Sequence, residues 1–210
     1  MLSDENFRKI KDKMVLVVGC GGLGGYVVEH LVRIGVGKIV VADDDCFCKS
    51  NLNRQLMSTL QNNGLNKAKE AKKRAAIIND SVEVAAVTER VHKANIEKIA
   101  LGCDLVFDCC DNISTRLTLE EYCEKNKTVL IHGAINDLCG QVATIYPGDK
   151  TISKLYGEKV SKRLSTLSFV PAIVASFQVS EGIKTLLGCK NTLKGKVMVL
   201  DLLTNDIKIL

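Results

Sequence analysis

The first part of the chain alternates between runs of apolar, β-branched residues and segments whose apolar residues recur at helical spacing. Residues 15–18 form an apolar run typical of a buried strand, and after a group of glycines residues 26–35 repeat apolar positions with a helical period. Residues 38–43 form a second strand-like run that ends in an acidic residue. This order of strand, glycine turn, helix, strand and acid is typical of a nucleotide-binding βαβ unit.

The glycines of this unit are candidate nucleotide-binding residues. Gly19, Gly21 and Gly24 match G-x-G-x-x-G, and Gly22 lies within the same run. Glycine lets the backbone turn sharply and approach a phosphate closely, and the following helix offers free N–H groups to that phosphate. Asp43, about 20 residues further on, is placed to accept hydrogen bonds from ribose hydroxyls. The alternative is that the glycines serve only to allow close packing of the helix on the sheet. Even if a nucleotide binds, the motif does not identify which one.

The remainder of the chain continues this alternation and then changes it. A short helix is expected within residues 1–13, before the first strand. Later helices are expected at residues 66–78, 93–101, 114–125 and 171–188, and later strands at 82–87, 104–108, 128–132 and 141–146, the last after a turn that contains Gly140. Residues 147–168 have no clear period and are expected to form a long crossover loop.

Two closely spaced strands are expected at the end of the chain, between residues 196 and 210. Because the early strands alternate with helices and the late strands follow one another closely, the sequence predicts a mixed sheet. The expected fold class is α/β, a Rossmann-like doubly wound sheet whose N-terminal part is parallel and whose C-terminal strands are antiparallel. All 210 residues are expected to form a single domain.

The composition points to a globular protein with reduced cysteines. Hydrophobic residues make up 46% and charged residues 25% of the chain, and no apolar run has the length of a membrane span. The charged N-terminal segment lacks the apolar core of a signal peptide, so we expect a cytoplasmic protein without membrane contact. The nine cysteines are odd in number and include no C-x-x-C pair, so disulfide bonds and a structural zinc site are not expected.

The net charge of +5 is concentrated in two segments, residues 67–74 and 150–163. Such clusters are usually solvated faces, and they also suit an acidic partner. Aromatic residues make up only 4% of the chain, which does not favour stacking on nucleic-acid bases. A nucleic-acid partner is therefore not expected.

Three polar features after the glycine motif narrow the type of nucleotide. Arg54 offers a planar fork for phosphate oxygens and Asn51 an amide donor, while Lys67 is a point cation at the start of a basic helix. Asp111 follows the fourth strand, at the sheet edge where ligands lie, and is able to hold Mg²⁺. The three charged residues each have a structural alternative: Arg54 as a surface residue, Lys67 as a solvated helix cation and Asp111 as the cap of the following helix. Together they suit triphosphate chemistry and serve no purpose in hydride transfer.

These residues belong to a larger set of motifs that resembles the ThiF/MoeB/HesA family, the bacterial relatives of ubiquitin-activating enzymes. The resemblance covers about residues 13–203, nearly the whole chain. Its motifs are Gly19-Cys20-Gly21-Gly22-Leu23-Gly24, Asp43-x-Asp45, Ser50-Asn51-Leu52-x-Arg54-Gln55, Lys67, Asp108-Cys109-x-Asp111-Asn112, Gly133-Ala134 and Gly140-Gln141-Val142.

The resemblance implies an activity and a set of site residues. The family uses ATP and Mg²⁺ to adenylate the C-terminal glycine carboxylate of a small ubiquitin-like sulfur carrier, a ThiS- or MoaD-like protein ending in Gly-Gly, and releases pyrophosphate. It implies that Arg54, Lys67 and Asp111 are catalytic, with Asp111 as the Mg²⁺ ligand, and that the protein is a homodimer. The implied nucleotide-binding set is Gly19, Gly21, Gly22, Gly24, Asp43, Asp45, Asn51, Arg54, Lys67, Asp111 and Asn112.

The chain also departs from the family's pattern. It lacks the two C-x-x-C zinc pairs of larger members, and residues 140–188 contain no cysteine for a covalent step with the carrier. Arg8 is the candidate for the N-terminal arginine that reaches the ATP of a neighbouring subunit. The short chain favours the compact ThiF-like branch, which is linked to thiamine thiazole synthesis. The basic segment with Lys159 and Lys162 is expected to fold over the tail of the carrier.

Three other functions remain open on the sequence. One is an ATP-dependent enzyme that modifies a transfer-RNA nucleoside, with the basic clusters as its phosphate footprint. Another is an NAD-dependent oxidoreductase, which the glycine motif alone permits but which leaves Arg54, Lys67 and Asp111 unexplained. The last is a non-catalytic, nucleotide-dependent scaffold, and the presence of the same three residues argues against it.

Overall fold

The computed structural model describes residues 3–157 and 166–210, so Lys159 and Lys162 lie outside the described residues. The strands are β1 (Met14–Val18), β2 (Lys38–Ala42), β3 (Glu83–Val87), β4 (Leu105–Asp108), β5 (Val129–Asn136), β6 (Cys139–Ile145), β7 (Val197–Asp201) and β8 (Asp206–Ile209). The helices are α1 (Asp4–Lys11), α2 (Gly22–Ile34), α3 (Lys67–Ile78), α4 (Ile96–Ile99), α5 (Ile113–Asn126), α6 (Thr151–Tyr156) and α7 (Phe169–Leu186). Among the described residues, no helix combines the length and the apolar character needed to cross a bilayer.

In the described chain these strands form one sheet in the order β3-β2-β1-β4-β5-β6-β7-β8. The strands from β3 to β5 pair in parallel, whereas β6, β7 and β8 pair antiparallel. The predicted α/β fold with a mixed, doubly wound sheet is therefore confirmed. Because β1 pairs with β2 on one side and with β4 on the other, the winding of the chain reverses between β1 and β4. A doubly wound sheet opens its ligand crevice at such a point, beyond the carboxyl ends of the strands.

Helices cover both faces of the sheet because its central strands are apolar on both sides. In β1, Val15 and Val17 belong to the core under α2, α3 and α7. Leu16 and Val18 belong to the opposite core, which α4, α5 and α6 complete. Successive side chains of a strand point to opposite faces, so this short apolar run serves both cores. The carboxyl ends of the parallel strands are left at one edge, between the two helical layers.

The turn after β1 requires glycine at two positions. Gly19 has φ +93°, and a Cβ there would lie 2.6 Å from the carbonyl oxygen of Cys109. Gly24 lies in α2, where a Cβ would lie 1.7 Å from the carbonyl oxygen of Gly19. Gly24 thus lets α2 pack closely against the turn, as the alternative interpretation of the motif expects.

The expectation of a loop over the whole of residues 147–168 is wrong, because Thr151–Tyr156 form α6. Ile152 is fully buried. The carboxylate of Glu120 on α5 accepts the backbone N–H groups of Ile152 at 2.6 Å and Ser153 at 3.1 Å. So short a helix is not stable alone, and its stability comes from this anchorage on α5. The contact with Glu120 cannot be predicted from the hydrophobic pattern of residues 147–168, because Glu120 lies outside this segment.

The turn between β5 and β6 also differs from the prediction. Asp137 and Leu138 connect the two strands, and Asp137 has φ 55°. Gly140 lies within β6, paired with Ile135 of β5, rather than in the turn. A Cβ at Gly140 would lie 2.2 Å from a methyl carbon of Val174, so this glycine lets α7 approach the sheet.

Gly24→Ala should destabilise the fold, because a Cβ at this position has no room beside the carbonyl oxygen of Gly19. We expect a loss of about 1–3 kcal/mol in the free energy of unfolding, measured by urea denaturation. Gly25→Ala is the matched control, since a Cβ at this neighbouring position would make contacts of 3.7 Å or longer. The control should keep its stability or gain up to about 1 kcal/mol, because alanine is the better helix former. Equal losses in the two variants would contradict the close packing at Gly24.

Candidate functional site

A cleft of about 990 Å³ opens at the carboxyl ends of the parallel strands. It is bordered by the glycine turn, the segment after β2, the start of α5 and the β5–β6 hairpin, and it spans the point where the winding of the sheet reverses. The predicted site residues that line it are Gly19, Gly21, Gly22, Asp43, Asp45, Arg54, Lys67, Asp111 and Asn112. The fold therefore brings together most of the residues that the sequence placed around a triphosphate.

Asp43 ties the segment after β2 to the glycine turn. One carboxylate oxygen accepts the backbone N–H of Cys20 at 2.6 Å, and the other accepts that of Asp45 at 2.8 Å. Burial raises the pKa of the Asp43 carboxyl group, although these donors and the charge of Lys67 oppose the shift. Each carboxylate oxygen has a second lone pair. Asp43 is thus able to hold the turn and to accept a ribose hydroxyl at the same time.

Lys67 is a buried cation at the first residue of α3. Its side chain is only 8% exposed, and its ammonium group donates to Asp45 at 3.0 Å. A positive charge is unfavourable at a helix N-terminus, and a buried charge is costly unless it is paired. The interpretation of Lys67 as a solvated helix lysine is therefore wrong, and its position suits an anion in the cleft.

Arg54 lies in the turn that follows a short 3₁₀ helix at Lys49–Asn51. Its Nη1 donates to the carbonyl oxygen of Ser50 and to the side-chain oxygen of Asn53, both at 2.8 Å. A guanidinium has five N–H donors. These two hydrogen bonds therefore orient Arg54 in the cleft lining and leave it able to bind phosphate oxygens.

Asp111 and Asn112 follow β4 and have different tasks. Asn112 is the N-cap of α5, because its side-chain oxygen accepts the backbone N–H of Thr115 at 2.8 Å. The interpretation of Asp111 as the helix cap is therefore wrong. Asp111 is exposed and lies in the cleft lining.

Two predicted site residues, Asn51 and Gly24, do not line the cleft. Asn51 is buried, and its side-chain oxygen accepts the backbone N–H of Cys48 at 3.0 Å. Its own carbonyl accepts the N–H groups of Arg54 and Gln55 at 3.1 and 2.9 Å. Asn51 therefore shapes the turn that carries Arg54, and its placement does not support a direct phosphate contact. Gly24 lies beneath the glycine turn, as its close packing requires.

Polar residues on the β5–β6 side of the cleft were not among the predicted site residues. Arg116, Gln141 and Tyr156 line the cleft on that side. Arg116 lies four residues, about one helical turn, after Asn112, so it could have been found only if the start of α5 had been known. Gln141 stands in one of the motifs without an assigned role. No sequence pattern pointed to Tyr156, because it lies within residues 147–168, which lack a regular hydrophobic periodicity.

A buried network joins this side of the cleft to the sheet. Asp108 ends β4 and His132 lies in β5, both fully buried, and Asp108 Oδ2 is 2.6 Å from His132 Nδ1. The other ring nitrogen, Nε2, lies 3.1 Å from the Gln141 amide nitrogen and 3.1 Å from the Tyr156 hydroxyl. An amide nitrogen only donates, so His132 accepts through Nε2 and carries its proton on Nδ1, facing Asp108.

This arrangement keeps His132 neutral and Asp108 ionised. Burial lowers the pKa of His132 below its usual value. Burial is the largest single influence and would raise the pKa of Asp108, but the hydrogen bond from His132 and the other neighbours together outweigh it, and the net shift is downward. The charge of Arg116, whose Nε lies 3.7 Å from Asp108 Oδ2, adds to that shift.

The sequence model of the ThiF family matches residues 1–210. The chain belongs to the ThiF family. This ThiF-family chain is 33% identical over 204 residues to the SAMP-activating enzyme E1 of Haloferax volcanii, with 94% of this chain and 76% of that protein covered. It is 32% identical over 207 residues to the molybdopterin-synthase adenylyltransferase of Salmonella typhimurium, with 95% and 83% covered. It is also 32% identical over 217 residues to the sulfur carrier protein adenylyltransferase of Thermus thermophilus, with 95% and 78% covered.

Solved structures share the fold of this ThiF-family chain. Escherichia coli MccB with ATP superposes with a TM-score of 0.85 at 19% identity, over 98% of this chain and 65% of that chain. PaaA superposes with a TM-score of 0.84 at 20% identity, over 98% and 65%. The ThiF-family chain thus spans just under two thirds of these proteins, and the likeness supports the fold alone. The predicted ThiF/MoeB/HesA relationship is confirmed, and so is the class of nucleotidyltransferases to which the named adenylyltransferases belong.

His132→Gln should change how the stability of the protein depends on pH. Folding lowers the pKa of His132, so below about pH 6.5 the unfolded chain binds more protons than the native chain. Wild-type stability should therefore fall between about pH 7 and pH 5, with a contribution from His132 of at most about 1.4 kcal/mol per pH unit. Urea denaturation across this range should show a shallower slope in His132→Gln.

His92→Gln is the control for that experiment, because His92 is exposed and does not contact the network. Burial also lowers the pKa of His30, which contributes equally to all three proteins. A slope in His132→Gln equal to that of the wild type would show that folding does not lower the pKa of His132.

Proposed function

We propose that the chain is an ATP-dependent adenylyltransferase that activates the C-terminal glycine carboxylate of a small ubiquitin-like sulfur carrier. The observation that most supports this is the convergence of Arg54, Lys67 and Asp111 with the glycine turn in one cleft. The relatives named molybdopterin-synthase adenylyltransferase and sulfur carrier protein adenylyltransferase, which match 95% of the chain, support the same class.

The proposed reaction joins two anions. A carboxylate oxygen of the carrier forms a bond to the α-phosphorus of ATP, while the bond from that phosphorus to the bridging oxygen of pyrophosphate breaks. The carboxylate is already a nucleophile, so the reaction does not require a base to remove a proton. What it requires is the alignment of two like charges and the stabilisation of the leaving pyrophosphate, which a cleft lined by cations supplies.

In this proposal Lys67 changes partner when ATP binds. Lys67 is paired with Asp45, whose side chain is 68% exposed. The solvated carboxylate of Asp45 regains its hydration when it is released, so a triphosphate competes readily for the lysine. Arg54 adds a planar fork for phosphate oxygens, and both cations stabilise the departing pyrophosphate. Asp43 accepts a ribose hydroxyl beside them.

Asp111 suits a magnesium ion that accompanies the triphosphate. Within the described residues there is no group of three or more side chains that could hold a metal ion. Magnesium needs only one or two protein carboxylates in addition to phosphate oxygens and water, so the exposed carboxyl group of Asp111 fits. When bound, the ion would supply further neutralisation of phosphate charge.

The proposal names the class of carrier rather than its pathway. Several relatives are molybdopterin-synthase adenylyltransferases, and another is a sulfur carrier protein adenylyltransferase. The thiamine thiazole branch therefore stays a prediction. The homodimer, the role of Arg8 at a neighbouring site and the cytoplasmic location stay predictions as well.

The wild-type protein should exchange labelled pyrophosphate into ATP only when a carrier that ends in Gly-Gly is present. Lys67→Ala and Arg54→Ala should each lower the exchange rate about 100-fold or more, because each removes a charge that stabilises the leaving group. Lys72→Ala is the matched control, since Lys72 is an exposed lysine on α3 outside the cleft lining, and its rate should stay near the wild-type rate. Absence of exchange with every ThiS-like or MoaD-like carrier tried would remove the proposal.

Nucleotide titrations should separate this proposal from the two enzymes that remain as alternatives. Isothermal titration calorimetry should show binding of ATP and not of NAD, because Arg54 and Lys67 are placed for a triphosphate. Transfer RNA should bind weakly and without the steep salt dependence of a protein that neutralises many phosphates. Tighter binding of NAD than of ATP would favour the oxidoreductase, and steep salt dependence would favour the RNA-modifying enzyme.

A further inference from the structure

Besides Arg54 and Lys67, the cleft lining contains the buried cation Arg116, to which the proposed reaction has not yet given a task. It lies in the first turns of α5, it is only 8% exposed, and it lines the cleft. Its Nη2 donates to the carbonyl oxygen of Cys110 at 2.7 Å. Its Cζ lies 4.9 Å from the centre of the Tyr156 ring. These contacts hold the guanidinium in one orientation at the wall of the cleft.

The neighbouring carboxylate of Asp108 does not satisfy this guanidinium. Asp108 Oδ2 accepts from His132 at 2.6 Å, and Oδ1 accepts the backbone N–H of Cys110 at 3.0 Å. Arg116 Nε lies 3.7 Å from Oδ2, beyond hydrogen-bond distance, and it has no hydrogen-bond partner in the described chain. A buried guanidinium with unmet donors costs free energy. Nε is itself buried and out of reach of a ligand. An anion bound in the cleft beside the guanidinium would stabilise Arg116 by compensating its charge.

The position of Arg116 indicates which anion this is. Arg54 and Lys67 both follow β2 in the chain, whereas Arg116 follows β4, on the other side of β1 in the sheet, and lies next to Tyr156. A triphosphate held by the first two cations leaves Arg116 to the other anion of the reaction. We propose that Arg116 binds the C-terminal carboxylate of the acceptor protein and holds it against the α-phosphate. This inference rests on the proposed function and adds the residue that recognises its second substrate.

Tyr156 is then a positioning residue for Arg116. Its ring holds the guanidinium by a cation–π contact. Its hydroxyl group is fixed by His132 at 3.1 Å and by the amide of Gln141. Because Tyr156 is the last residue of α6, the docking of this short helix on the sheet is joined to the orientation of Arg116.

The test compares two forms of the carrier that supports pyrophosphate exchange, one with its native C-terminal carboxylate and one with a C-terminal carboxamide. Binding is measured by calorimetry in the presence of an ATP analogue whose α–β bridging oxygen is replaced by a methylene group, so no turnover occurs. The wild-type protein should bind the carboxylate form about tenfold more tightly, because a hydrogen-bonded charge pair is lost with the carboxamide. Arg116→Gln should bind the two forms equally, since the cation that distinguishes them is gone.

Arg74→Gln is the matched control for this comparison. Arg74 is also an arginine paired with a carboxylate, that of Glu29, but it lies on α3 outside the cleft lining. Its preference for the carboxylate form should equal that of the wild type. If Arg116→Gln fails to fold, Arg116→Lys provides the same test, because it keeps the charge without the planar fork and should retain a reduced preference.

Tyr156 is tested by a pair of variants. Tyr156→Phe keeps the ring over Arg116 and should lose only part of the preference for the carboxylate form, whereas Tyr156→Ala should lose most of it. ATP affinity should change in neither variant, which a general loss of structure would not reproduce. Tyr122→Phe is the control, since the hydroxyl of Tyr122 bonds to Ala100 outside the cleft lining.

The outcomes separate this inference from the proposed function. If carrier-dependent exchange occurs but Arg116→Gln keeps the full preference for the carboxylate, Arg116 does not bind the acceptor, and the adenylyltransferase proposal is unaffected. If no carrier supports exchange, both proposals are lost. A preference that disappears in Arg116→Gln and persists in Arg74→Gln supports the assignment.

Discussion

The two hydrogen bonds that the Asp43 carboxylate accepts, from the N–H groups of Cys20 and Asp45, are the interaction on which the nucleotide side of the cleft depends. They join the glycine turn to the segment after β2, although Cys20 and Asp43 are 23 residues apart in the chain. Without them the two loops have no fixed separation and two backbone donors lose their partner, which is costly in a partly buried site. Because the donors belong to the backbone, the sequence around Asp43 can vary while the geometry is kept. This side of the cleft is therefore preorganised before any ligand arrives.

The opposite side of the cleft is held in a different way. There the side chains of Asp108 and His132 form a buried pair, and Tyr156 reaches this pair from α6. The short helix is anchored at its other end by Glu120, whose carboxylate accepts the backbone N–H of Ile152. Side-chain networks of this kind are stable only when every member is satisfied. This side of the cleft therefore depends on the docking of α6, whereas the side of the glycine turn does not.

This difference explains which parts of the molecule the sequence could predict. The strand and helix periods place the glycine turn, Asp43 and Lys67 at the same sheet edge, because these elements follow one another locally along the chain. No local pattern marks α6, since its stability comes from a contact with Glu120 about 30 residues earlier in the chain. Arg116 was overlooked for a similar reason: its place in the site follows from where α5 begins, and the cap that begins α5 is Asn112. Asn51 was predicted to bind phosphate because its amide is a suitable donor. In the structure its side chain is buried and hydrogen-bonds to the backbone instead.

The two buried cations of the cleft have carboxylate partners of opposite character, and this bears on their use. Lys67 is paired with Asp45, whose side chain is 68% exposed, so that water replaces the lysine when an anionic ligand takes it. Arg116 lies beside Asp108, which is completely buried and already bonded to His132, so neither group has an alternative partner in water. Lys67 is thus able to exchange its partner, whereas Arg116 is fixed. An adenylation site has reason for this asymmetry, because pyrophosphate must leave after each turnover while the carboxylate must arrive in one orientation. Neither cation is placed where it would best stabilise the fold: Lys67 opposes the dipole of α3 and Arg116 keeps an unpaired donor. Their positions are therefore better explained by the ligands proposed for them than by the stability of the chain.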